Sequence, residues 1–428
     1  MSSSSVSDRG ASSSAVSGCS RRDLVRVRLA VIAVFMTFGI SIAAWAVHLP
    51  SLQRATGIST AMLGTVILLH GLGALVGMQV SGPLSDRWGS GRLALGTAPL
   101  MAACMPLPFL TDSVGWVFCG ALAFGIATGG AEVSMNAAGV ALERVYQRPI
   151  MSSFHGMFSI GNVIGSGIAA IGFLVEASTV VMTGLMAAVG ITLMVAASTW
   201  LRHPMLAEAA EAPDAPEAPD AAAVSGQRSP RKSGKSRVLL LGALAFLCLL
   251  CEGSAMDWSS LHAQEHLGAS PAQGAMAFAA FVSSMTIGRL VVDRIAHRVG
   301  AVAVVRYGSV LVVAGALLVV TATMLPFTML GWALFGLGLA GSAPLVFSAA
   351  GNLGPDSGRV LSRVVGMGYL AFLAGPALVG WIGEVTSLNT ALFIPVVAGA
   401  VCVLAAGTVR REDHVAPAQQ SGATPPVR

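Results

Sequence analysis

The stretch GGAEVSMNAAG, residues 129–139, sets a carboxylate, Glu132, and an amide, Asn136, one helical turn apart inside an apolar run. A second such place is CEGSAMDWSS, residues 251–260, where Glu252 and Asp257 interrupt another apolar run and Trp258 follows. An ionised side chain at the centre of a bilayer costs about 2.5–3.5 kcal/mol on insertion scales, so such a group must be neutral, paired or reached by water. At 1.5 Å per residue Glu132 lies about 15 Å from the next charge, Glu143, which puts it near mid-bilayer. A carboxyl that loads and releases a proton at that depth is the chemistry that coupled movement of a solute requires. Gly125, Gly129, Glu132, Asn136 and Gly139 recur at helical spacing on one face, which fits a cavity wall or a close helix contact rather than lipid. The bland alternative is a neutral glutamic acid hydrogen-bonded to a neighbouring helix and merely holding the bundle together.

Three further side chains offer chemistry. His155, in SFHG, can bond a solute or relay a proton, or be a satisfied structural histidine. Trp45, deep in its run, can stack on the carbon face of a sugar or polyol, or pack between helices. Trp258 can do the same or anchor a helix end at the membrane interface.

The surroundings of these residues are hydrocarbon. Of 428 residues 54% are hydrophobic and 11% charged, against about 25% charged in soluble proteins. Glycine, with 50 residues, is commoner in membrane helices than in soluble ones. Twelve apolar runs are long enough to span, near 27–50, 60–84, 92–111, 114–142, 150–175, 178–201, 237–261, 271–293, 300–322, 325–350, 359–383 and 388–409. Each is expected to be helical, because hydrocarbon offers no partner to a free backbone amide. The predicted fold class is therefore all-α and membrane-spanning, with twelve transmembrane helices.

The predicted organisation is a tail over 1–26, a six-helix bundle over 27–201, a linker over 202–236, a second six-helix bundle over 237–409 and a tail over 410–428. The linker is Pro-rich and acidic, then basic, and cannot bury a core. The Ser-rich start followed by Arg21, Arg22, Arg26 and Arg28 is not a cleavable leader. With the N-terminus inside, every basic residue except Arg54 falls at or near the cytoplasmic face, while Asp112, Glu176, Glu265 and Glu384 fall outside, so both termini are expected in the cytoplasm. The +5 net charge is thus an orientation signal and not a nucleic-acid patch. Cys248 and Cys251 form a C-x-x-C inside a span without further ligands and are expected to pack. The two halves echo one another: NAAG at 136–139 recurs as SAAG at 348–351, offset 212, and GMFSIG at 156–161 as GMGYLA at 366–371, offset 210.

GPLSDRWGSGR follows the second run and GRLVVDRIAHR the eighth. Twelve spans, a central linker and an Asp-Arg loop in each half resemble the major facilitator superfamily from about residue 25 to 410. That family's loop motif is met by Gly82, Asp86, Arg87, Gly89 and Arg92, with Ser90 and Gly91 at two usually basic positions; Asp293 and Arg294 are the second-half counterparts. The resemblance implies that these groups gate the cytoplasmic end while the halves rock. It also implies that spans one, four, seven and ten line a cavity, which is where Glu132, Glu252 and Asp257 fall.

AEVSMNAAGVALERVYQRPIMSSFHGMFSIG is similar to the subgroup near the fucose–proton symporter and the rhizopine-cluster membrane permease. The fucose symporter's fourth helix carries Glu and then Asn, at the positions of Glu132 and Asn136 here. Its second essential carboxylate aligns with Ala46, so Asp257 or Glu252 is the expected substitute. The resemblance implies a proton-coupled secondary transporter of a sugar, polyol or amino-polyol, working by alternating access as a monomer in the cytoplasmic membrane. The expected partners are that solute, the proton and the lipid bilayer, with no cofactor, metal or nucleic acid. No nucleotide-binding loop or catalytic constellation points to an enzyme. A proton-driven exporter of drugs or metabolites is the alternative, though the fourth-span arginine and fifth-span Gly-Pro element usual there are missing. A non-transporting sensor is the reading from a different class.

Overall fold

The computed structural model describes residues 20–146, 150–206, 235–353 and 357–410. Among them no strand occurs, and twelve helical elements run in order: α1 Arg21–Thr56, α2 Thr60–Trp88, α3 Ser90–Cys104, α4 Val114–Tyr146, α5 Met151–Leu174, α6 Thr179–Leu201, α7 Lys235–Leu267, α8 Pro271–Val299, α9 Ala301–Thr321, α10 Leu325–Gly351, α11 Ser357–Val385 and α12 Leu388–Val409. Eleven are long and apolar enough to cross a membrane by themselves. The other is α3, whose 15 helical residues reach only about 22 Å. Pro106 and Pro108 deny it further amide donors, and the chain completes the expected third span through a turn and a 3-10 segment, Leu107–Phe109.

Ends follow local chemistry. α1 starts six residues before its apolar run, because the Ser20 side chain accepts the Asp23 amide hydrogen at 3.2 Å and Asp23 lies in the positive first turn. A reciprocal cap between Ser270 and Gln273 opens α8, with Pro271 as its first residue. Gly89 and Gly300 both adopt positive φ, at 82° and 86°, and lie 211 positions apart. Each lets the chain reverse between paired helices where an L side chain would be strained. The repeat inferred from short motifs therefore extends to the backbone of the Asp-Arg loops.

The surface is inverted relative to a soluble protein, with residues such as Leu174 and Leu404 exposed by 73% and 84%, as hydrocarbon solvent requires. Lipid gives helices no hydrophobic reason to associate, so they hold by close contact. α2 and α4 approach most closely: a Cβ on Gly77 would lie 2.0 Å from the Ile126 carbonyl oxygen, and one on Gly129 would lie 1.9 Å from that of Ala74. In the first half α1 packs on α5 and α6, and α4 on α2 and α3; in the second α7 packs on α11, and α10 on α8 and α9. The halves meet along two equivalent seams, α2 with α11 and α5 with α8.

Candidate solute-binding site

Glu132 stands on α4 where the two seams leave a polar centre. It is half-buried, and its Oε1 accepts a hydrogen bond from the Tyr369 hydroxyl of α11 at 3.2 Å. That bond joins the first half to the second. Asn136 is half-buried one turn along, but its Nδ2 donates to the Glu132 backbone carbonyl at 2.9 Å, so its amide serves its own helix rather than the carboxylate. The glycines that share this face have another task. Gly125 and Gly129 seat α2, and Gly139 seats Met151 and Phe154 of α5. Both readings of the glycine face thus hold, divided along its length.

Glu252 on α7 is paired with a cation. Its Oε1 accepts from Nη2 of Arg289 on α8 at 3.0 Å, with side chains 14% and 28% exposed respectively. The Tyr369 hydroxyl lies within electrostatic reach of Glu252 as well as Glu132, and His155 on α5 lies within reach of Arg289. His155 is otherwise held edge-on to Phe35 at 5.4 Å. Five helices, two from the first half and three from the second, therefore bring Glu132, His155, Glu252, Arg289 and Tyr369 into one polar group. Removing one partner of a buried ion pair leaves the other charge uncompensated. Glu252→Ala is expected to destabilise the detergent-solubilised protein by about 1–3 kcal/mol, with Glu252→Gln milder, as read from thermal unfolding.

Two members of this group escaped sequence reasoning. Tyr369 lies in the repeat GMGYLA with no charge to mark it, although it is one of three tyrosines in the chain. Arg289 counts among the basic residues expected at or near the cytoplasmic face, and its guanidinium turns inward to Glu252. The available signal was its position inside the predicted eighth span.

Other expected residues lie elsewhere. Asp257 is half-buried on α7 and has no hydrogen bond or ion pair among the described residues. Trp45 is 2% exposed and stacks on His70 at 5.2 Å, with Phe124 and Phe109 completing the cluster. It packs the first half rather than facing the polar centre. Trp258 is fully buried, with its ring 3.2 Å from where a Cβ on Gly380 would stand. It is a wedge between α7 and α11, not an anchor at the interface.

The ends of the molecule differ. At the end away from the chain termini Arg54 Nη1 donates to Gln264 Oε1 at 2.6 Å, the Ala61 amide to Glu384 Oε2 at 3.3 Å and Trp381 Nε1 to Thr65 Oγ1 at 3.4 Å, each across the halves. Gly64 and Gly380 let α2 and α11 touch there, a Cβ on Gly64 falling 2.9 Å from the Pro376 carbonyl oxygen. At the terminal end Asp86, Arg87, Arg92, Asp293 and Arg294 are exposed and make no ion pair among the described residues, while Gly82 is half-buried with open space beside it. Glu143 caps α5 instead, accepting the amides of Ile150 and Met151 at 2.6 and 2.7 Å, within one half. Among the described residues the halves are thus hydrogen-bonded to one another at the end away from the termini, and the charged residues of the two Asp-Arg loops make no ion pair at the other.

A family model described as Major Facilitator Superfamily matches residues 29–262 and 241–427. The chain belongs to that superfamily. It is 32% identical over 358 residues to an uncharacterized MFS-type transporter of Yersinia pestis, covering 83% of this chain and 89% of that one. It is 29% identical over 388 residues to the membrane protein MosC of Rhizobium meliloti, covering 88% and 89%. The fold matches a point mutant of the nucleoside transporter NupG with a TM-score of 0.70 at 15% identity, over 90% of this chain and 100% of that one. It also matches a bacterial homologue of the lysosomal transporter Spinster, solved inward-facing and occupied, with a TM-score of 0.65 at 13% identity, over 91% and 97%. The family and its relatives make this superfamily member a multi-pass membrane protein of the secondary-transporter type.

Proposed function

We propose that this protein carries a small polar solute of sugar, polyol or amino-polyol type across the cytoplasmic membrane, coupled to protons, by alternating access. Both termini lie in the cytoplasm in this reading, so the end bonded through Arg54, Ala61 and Trp381 is the outer one and the conformation is open inward. The observation that carries the proposal is the Tyr369–Glu132 hydrogen bond, a titratable group bonded across the two moving halves. An ionised Glu132 accepts from Tyr369; a protonated one can donate elsewhere, so loading the proton changes what holds the halves together. A ligand shifts such an equilibrium only through its different affinity for the two states, and in this reading the proton does so through this contact.

The test is external pH in lightly buffered, de-energised cells producing the protein, with sugars, polyols and amino-polyols added in turn. Alkalinisation on adding one of them supports symport. Acidification in inverted vesicles on adding an exported compound, without any symport signal, would replace this reading with the exporter.

Alternating access also predicts a wedge effect. Gly64→Val places a branched side chain where even a Cβ is crowded by Pro376 and Gly380. The protein is expected to fold, since this seam opens in each cycle, but not to close its outer end. Solute binding in detergent should persist while transport falls below about a tenth of wild type, a barrier increase of about 1.4 kcal/mol or more.

A further inference from the structure

Arg289 has more donors than the protein uses. A guanidinium offers five N–H donors in a planar fork, and in this structure its one acceptor among the described residues is a single oxygen of Glu252, met by a single nitrogen, Nη2. The pair is one-pronged where arginine and carboxylate commonly meet through two parallel bonds. The remaining donors are not lost to lipid. Arg289 pairs inward to α7 and lies within reach of His155 on α5, and its side chain keeps 28% exposure. The α5–α8 seam beside it is one of the two along which the halves meet.

We propose that Arg289 is the solute-recognition residue of this site, and that the solute it fits carries a carboxylate: a small hydroxylated acid of the uronate or aldonate kind. The inference rests on reading the Glu132–Tyr369 centre as the transport site and narrows its substrate class. The planar anion meets the free edge of the guanidinium through two parallel bonds, while Glu252 keeps its hold on Nη2. The hydroxyls of the solute then face Tyr369 and His155, which can each donate or accept. Arg289 is the cation paired with Glu252 in this polar centre. A neutral solute would leave most of its donors unused, whereas an acid uses them and gains the geometric selectivity of a fork.

Matched pairs differing in one group provide the test: D-glucose against D-glucuronate, and D-glucitol against D-gluconate, with the purified full-length protein in proteoliposomes. Wild type is expected to bind and take up at least one acid with an affinity about tenfold or more above that of its neutral partner. Arg289→Lys keeps the charge but loses the fork, and should raise the KM for that acid at least tenfold with little change in kcat. The KM for the neutral partner should move less than twofold. A positioning role alone would shift both members of a pair alike, and that result overturns the proposal. Preference for the neutral members in wild type overturns it too, whether or not any variant folds, and leaves the polar-solute carrier standing. Acid preference lost in Arg289→Lys, with no proton movement in the same vesicles, upholds Arg289 while removing proton coupling.

Discussion

Glu132→Gln is expected to abolish solute-driven proton movement while solute exchange across equal concentrations continues within about tenfold of wild type. The substitution is nearly isosteric, and the amide oxygen can still accept the Tyr369 hydroxyl that now lies 3.2 Å from Oε1. The inter-half contact therefore survives, and what disappears is the ability to exchange a proton. A carrier without its titrating group equilibrates its solute but cannot concentrate it. Ten-fold accumulation corresponds to about 1.4 kcal/mol taken from the proton gradient, and the variant should accumulate none. Tyr369→Phe separates contact from coupling. It removes a hydrogen bond worth about 0.5–1.5 kcal/mol and leaves the acid, so accumulation should persist at a rate altered by only a few-fold. Radiolabelled uptake with and without an imposed pH gradient, beside counterflow, reads both variants. Unimpaired accumulation by Glu132→Gln would move the proton to Asp257 or Glu252.

Gly129→Val should remove the folded protein altogether. Even the first carbon of the new side chain would lie 1.9 Å from the Ala74 carbonyl oxygen and 2.7 Å from its carbon, both of them backbone, so no rotamer can relieve the clash. Overpacking a well-packed interior costs about 1–3 kcal/mol where side chains can shift, and here α2 as a whole must move. Gly73, Gly77 and Gly125 make the same kind of contact along this pair, so displacement at one level disrupts the others. Gly184→Ala on α6 is the control, because nothing lies within 4 Å of its added carbon. It should be neutral or gain up to about 1 kcal/mol from helix propensity. Monodispersity and thermal unfolding in detergent distinguish the two, and a stable Gly129→Val protein would contradict this packing.

Much was legible from composition alone because a bilayer imposes its constraints locally. Each apolar run had to be a helix wherever it sat, since its amides have only one another to bond. The lengths of the runs and the Asp-Arg loops could likewise be read without knowing any contact. Glu132 declared itself in the same way: an acid near mid-bilayer is anomalous against its own neighbours in sequence.

Partnership was not local, and only the tertiary structure decided it. Glu132 finds Tyr369 at a separation of 237 residues, and Glu252 finds Arg289 on the next helix because α7 and α8 face one another at that depth. Trp45 and Trp258 show the converse. Their chemistry suits a binding site, yet helix rotation turns both into packing. A rotation of about 100° per residue decides whether a side chain meets cavity, helix or lipid, and apolar neighbours on every side leave that rotation unmarked in the sequence. Which end of the molecule is latched is a matter of assembled halves, and no run of residues encodes it singly. The sequence determined how many helices cross and which polar groups they carry, because solvation acts on each segment by itself; packing between segments decided which of those groups meet.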